Sequence, residues 1–66
     1  MRIKALIEKA TKAGFSVSVK DGHTTITKGQ KSVTIWEDGT ILRNDIPYDQ
    51  SIPMRVYEAA QYLKIN

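Results

Sequence analysis

Three turn signals constrain this chain more than any other feature. Asp21-Gly22, Lys28-Gly29 and Asp38-Gly39 punctuate the stretch from Phe15 to Arg43, and the segments between them are rich in β-branched residues that alternate with polar ones. Pairs ending in glycine accept the positive φ of tight hairpin turns, and a period of two is the pattern of a strand with one buried face. The stretch reads as an antiparallel meander.

Its strands are Phe15 to Lys20, His23 to Lys28, Lys31 to Trp36 and a short Thr40 to Arg43. In the first, Phe15, Val17 and Val19 point one way and Ser16, Ser18 and Lys20 the other. The second has Ile26 as its one strongly apolar residue, so it reads as less deeply covered than its neighbours. The third buries Val33 and Ile35, which leaves Ser32, Thr34 and Trp36 on the opposite face. In the fourth, Ile41 and Leu42 are adjacent, and parity leaves open which of them faces inward. The face turned away from the core then carries Ser16, Ser18, Lys20, His23, Thr25, Thr27, Ser32, Thr34 and Trp36.

A helix flanks the meander on each side. Ile3, Leu6, Ile7 and Ala10 recur at helical spacing between Arg2 and Ala13, with Gly14 placed to end the helix in the left-handed region. After a loop from Asn44 to Gln50, Ser51 or Ile52 caps a second helix, Pro53 sits in its first turn, and Val56, Ala59, Ala60 and Leu63 form its buried stripe. Both helices need an apolar surface, and one face of the sheet supplies it. The expectation is a single α+β domain over residues 1–66, two-layered, of order α-β-β-β-(β)-α.

Sixty-six residues leave no room for a second unit. Cysteine is absent, which removes disulfides, thiolate nucleophiles and Cys-based zinc sites, and with one histidine no metal or cofactor site is expected. No apolar run has the length of a signal-peptide core or a membrane span, so the expected location is the cytoplasm, away from membranes. The net charge of +3 favours acidic partners without the dense Lys/Arg tracts of a dedicated nucleic-acid binder.

Ile3-Lys4-Ala5-Leu6-Ile7-Glu8-Lys9, Lys12-Ala13-Gly14-Phe15, Lys20-Asp21-Gly22-His23 and the run from Ile52-Pro53-Met54-Arg55 to Leu63 follow a layout that resembles the HicA-type toxins. These are small mRNA interferases with a double-stranded-RNA-binding-domain-like fold. The resemblance implies that fold, RNA as a partner, and His23 as the residue matching the family's strand-borne catalytic histidine. The chain departs from the pattern in having no Ser or Asn between Gly22 and His23, Thr24 where many members carry a second histidine, an added Asp38-Gly39-Thr40 hairpin, and Arg43-Asn44-Asp45 where the family is basic. In size and general pattern it is also similar to small orphan proteins of phages and prophages.

Two functional readings follow. The first is a small non-enzymatic binding module, phage-like, that docks on a host or cognate protein through the open sheet face, with Trp36 at the centre and Thr34, Thr25, Thr27 and Lys20 around it. An indole on such a face exposes apolar area suited to an interface, although Trp36 could equally fold over the sheet edge or under the Asn44 to Gln50 loop. The alternative is nucleic-acid binding through Arg2, Lys4, Lys9, Lys12 and Lys20, with ribonuclease activity at His23 acting as general base on a 2′-hydroxyl. The bland counterparts are a solvated amphipathic helix face and a solvated histidine at a strand start. Tyr48, Tyr57 and Tyr62 form a docking or dimer patch if exposed together with Met54. The carboxylates at Glu37-Asp38 and Asp45-Asp49 are accounted for by turn chemistry. A homodimer is a further expectation, since the edge of the threonine-rich second strand or the short fourth strand can pair two copies.

Overall fold

The computed structural model describes residues 2–66; Met1 lies outside them. Helix α1 (Ile3–Lys12) leads into strands β1 (Ser16–Lys20), β2 (His23–Lys28), β3 (Lys31–Ile35) and β4 (Ile41–Arg43). A 3-10 turn (Tyr48–Gln50) and helix α2 (Val56–Leu63) follow. The strands pair in the order β1-β2-β3-β4, each antiparallel to the next. Leu6 and Ala10 of α1 and Ala59, Ala60 and Leu63 of α2 pack with Phe15, Ile26, Val33, Ile35 and Ile41 in one core, so both helices cover the same face of the sheet. This is the two-layer α+β arrangement expected from the sequence.

The β1–β2 turn shows why the glycine signals matter. Asp21 has φ 52° and Gly22 φ 81°, the pair of positive values whose twist suits a two-residue hairpin. A Cβ at Gly22 would also lie 3.0 Å from the Glu37 carboxyl carbon, so the β3–β4 turn packs closely against this one. Alternation fixes the inner face as Val17, Ile26, Val33, Ile35 and Ile41. It places Leu42, the one position parity left open, on the outer face.

The two helices end alike. The Phe15 N–H donates to the Ala10 carbonyl at 2.9 Å and Gly14 N–H to Thr11 at 3.1 Å, with Gly14 left-handed at φ 89°. At the end of α2 the Ile65 N–H donates to Ala60 at 3.0 Å and Lys64 N–H to Gln61 at 3.1 Å, and here a lysine holds the left-handed position at φ 59°. A Cβ in that region costs on the order of 1 kcal/mol, which glycine avoids. Lys64→Gly is expected to raise the unfolding free energy by about 0.5 to 1 kcal/mol in urea titration. An unchanged or lower midpoint would count against the helix end described here.

Three expectations are corrected. Helix α2 begins at Val56 with Arg55 as its N-cap residue, and neither Ser51 nor Ile52 caps it. Met54 instead donates its N–H to the Ile41 carbonyl at 2.8 Å, an isolated antiparallel bridge at the outer edge of β4; Glu58 reaches back to the Arg55 N–H at 2.8 Å. The second strand is interior, paired on both sides, and its Ile26 is fully buried. The edge strands are β1 and β4, so the second strand offers no free edge; β4 is bridged at Ile41 by Met54, and among the described residues nothing pairs with the outer side of β1. Finally, Met54 and Tyr62 pack against the core, which separates them from the exposed Tyr48 and Tyr57.

Candidate functional site

The register arranges the outer face in rows. Lys20 lies opposite His23, and the next position across is Trp36; below them run Ser18, Thr25, Thr34 and Leu42, then Ser16, Thr27, Ser32 and Asn44. The hydroxyl rows are stitched to one another. Thr34 donates to Asn44 Oδ1 at 3.0 Å, Asn44 Nδ2 donates to Ser32 Oγ at 2.8 Å, and Ser32 and Thr27 share a hydrogen bond at 3.0 Å. Thr34 is 7% exposed, and this network takes up its hydroxyl and that of Thr27; among the described residues Thr25 and Lys20 enter no such bond.

The row at the turn end is aromatic. Trp36 N–H donates to the Thr40 carbonyl at 2.8 Å and its carbonyl accepts from Gly39 at 2.9 Å, which pins its backbone at the root of the β3–β4 turn. The indole lies against the His23 ring, with centroids 4.9 Å apart and planes tilted by 36°. Trp36 remains 39% exposed and Tyr48 78%, while Leu42 between them is 8% exposed. These three residues line two adjoining grooves. One, of about 460 Å3, is completed by residues of the 43–51 segment including Ile46, Pro47 and Ser51. The other, of about 300 Å3, runs past Glu37, Asp38 and Thr40. Trp36 therefore stands outward, as parity requires, and also borders the loop.

The charged rim of these grooves is net acidic, three carboxylates against Arg43. Glu37, Asp38 and Asp45 line them, and Asp49 belongs to the same exposed loop. Asp45 is held by Arg43, whose Nε and Nη2 donate to its two carboxylate oxygens at 3.0 and 2.6 Å while the guanidinium lies 4.3 Å from the Tyr62 ring centre. This pair holds the Asp45 carboxyl below its ordinary value, and the Thr40 N–H does the same for Asp38. A depressed folded-state pKa stabilises above the unfolded value and fades as pH falls through the folded one. The stability difference between wild type and Asp45→Asn is therefore expected to be present at neutral pH and to vanish as the solution is acidified below the ordinary carboxylate range. A difference that persisted in acid would separate the loop's stability from this ion pair.

The basic residues named from sequence do not form one surface. Arg2, Lys4, Lys9 and Lys12 are exposed on or beside α1, on the helix side of the sheet, whereas Lys20 and His23 belong to the outer face. The imidazole faces Trp36, and no side-chain hydrogen bond among the described residues ties it to a carboxylate. Among those residues no group of acidic or histidine side chains could hold a metal ion, and no helix is long and apolar enough to cross a membrane. Sequence placed Tyr48 in a patch with Tyr57 and Tyr62 and not beside Trp36, and it gave Leu42 and Asn44 no part in the outer-face site. The adjacent Ile41-Leu42 pair was the one signal for Leu42, since both residues are buried, on opposite faces. No protein-family model, curated protein or solved structure shows a match to this chain.

Proposed function

We propose that the domain is a small binding module without catalytic activity that docks on a protein partner, a host or cognate protein, through the Trp36 grooves. The observation that carries this reading is the convergence of Trp36, Leu42 and Tyr48 on two adjoining grooves beneath an acidic rim. Exposed aromatic area beside a buried aliphatic floor is the usual composition of an interface anchor. The carboxylates of Glu37, Asp38 and Asp49 repel a phosphate backbone and attract a basic segment, so the partner presents Lys or Arg around an apolar anchor. The alternative centre, His23 with the α1 cations, is divided between the two faces of the sheet, and a duplex gripped by α1 would leave His23 on the far side.

The test is capture from nuclease-treated lysate with wild type, Trp36→Ala and Glu37→Lys/Asp38→Lys in parallel, followed by measurement of the purified interaction. Trp36→Ala is expected to weaken binding by at least tenfold, the scale of a hot-spot residue, with the circular-dichroism spectrum retained. Charge reversal is expected to weaken it further at low salt than at high salt. Binding unaffected by either variant overturns the proposal. So does steeply salt-dependent binding of double-stranded RNA that falls with Lys9→Ala/Lys12→Ala and ignores Trp36, which would move the function to α1.

A further inference from the structure

We infer that β1 pairs with β1 of a second copy, extending two four-stranded sheets into one of eight strands. The inference rests on the free edge of the sheet and is independent of the Trp36 grooves. At the other edge Met54 covers Ile41, but among the described residues nothing pairs with the outer side of β1. A two-residue turn at Asp21-Gly22 makes Lys20 and His23 the narrow hydrogen-bonded pair, so Ser18 with Thr25 and Ser16 with Thr27 are the other bonded pairs. The N–H and carbonyl groups of Val17 and Val19 therefore point away from β2, toward the open edge.

Edges are ordinarily blunted by proline, bulges or charges within the strand. Here the register runs unbroken from Ser16 to Lys20, without proline, and Lys20 at the end is the one charge. The side chains are as bare as the backbone. Val19 is 73% exposed although it shares the inner face with Val17, which packs against the core. The reason lies in the course of α1. It starts near the β3–β4 turn, where a Cβ at Gly39 would sit 4.0 Å from Ile3 Cδ1, and ends at Gly14 beside the start of β1, leaving the corner over Val19 uncovered.

The strand is self-complementary. A two-fold axis through Ser18 sets each Val17 opposite the partner's Val19, Ser18 opposite Ser18 and Ser16 opposite Lys20, with no like charges facing. The outward groups of Val17 and Val19 then exchange four backbone hydrogen bonds across the axis. Each bare Val19 comes to rest beside a Val17 already seated on its own core. Because the axis stands perpendicular to the sheet, both Trp36 sites face the same side, where a partner with two docking segments would be held by both.

Sedimentation of wild type, Val19→Pro and Val19→Lys tests this, together with amide exchange of β1 at low and high protein concentration. Proline removes an outward N–H and leaves the β1–β2 ladder intact, and lysine keeps the N–H but sets a charge beside the partner's Val17. Wild type is expected to dimerise at hundreds of micromolar, with Val17 and Val19 amides slowing about tenfold as concentration rises, while Ser18 is protected throughout. Both variants are expected to stay monomeric and folded; should Val19→Pro unfold, Val19→Lys decides. A wild-type monomer at millimolar concentration, or a dimer indifferent to Val19→Lys and without concentration-dependent protection at Val17 and Val19, overturns the inference.

Discussion

Leu6→Ala is expected to lower the unfolding free energy by about 3 to 4 kcal/mol, the range for a fully buried leucine whose cavity cannot collapse. Leu6 is 0% exposed and joins α1 to a core supplied by both helices and three strands, so the neighbours that would close the gap are held by separate elements. A 66-residue domain has a total stability of roughly 3 to 10 kcal/mol, so the variant is left at or near the point where folded and unfolded chains coexist. Its melting temperature should fall by roughly 12 to 32 °C, given about 4 to 8 °C per kcal/mol at this size. Lys9→Ala, on the exposed side of the same helix, is expected to stay within about 0.5 kcal/mol of wild type and is the control for helix propensity. A loss below 1 kcal/mol for Leu6→Ala would mean that α1 is not docked on the sheet as described.

The fold was legible where local chemistry and the tertiary outcome agree. Asp21-Gly22 marks a turn because its residues accept positive φ, and alternation from Ser16 to Ile35 assigns each side chain to a face because a strand offers only two. The sequence misled at Pro53. Its position two residues after Ser51 suits a helix start, but the chain first donates the Met54 N–H to Ile41, and a strand edge won over local capping. Val19 shows a second limit. Parity gives the face a side chain points to, whereas burial depends on what crosses that face, and the diagonal course of α1 is not encoded in any short window.

The outer-face site was legible in part for the same reason. Trp36 could be placed on that face by counting from Val33. Its neighbours Leu42 and Tyr48 could not, because one comes from a strand too short to show a period and the other from a loop. Thr34 was named as a contact residue from its outward parity, yet Asn44, ten residues on, folds back to accept its hydroxyl hydrogen bond. Long-range side-chain pairing of that kind decides which hydroxyls remain free, and the alternation pattern carries no trace of it.

Ile41 and Leu42, one residue apart and both buried, separate core from site in a single experiment. Ile41 is 1% exposed within the two-helix core, and Ile41→Ala is expected to cost about 3 kcal/mol, as a cavity among helices α1 and α2 and the sheet. Leu42 lies under Trp36 and Tyr48, whose exposed rings can settle into the space, so Leu42→Ala is expected to cost about 2 kcal/mol, the low end for a buried leucine. The chain has one tryptophan, which makes its emission a direct report on the groove. Ile41→Ala should leave the folded-state emission as it is in wild type, whereas Leu42→Ala should shift it, because the residue removed lines both grooves with the indole. If the emission moved with Ile41 instead, the two faces of β4 would be reversed and the groove would lose its floor. A shift with Leu42 and weakened partner binding in the same variant would tie the buried leucine to recognition as well as to stability.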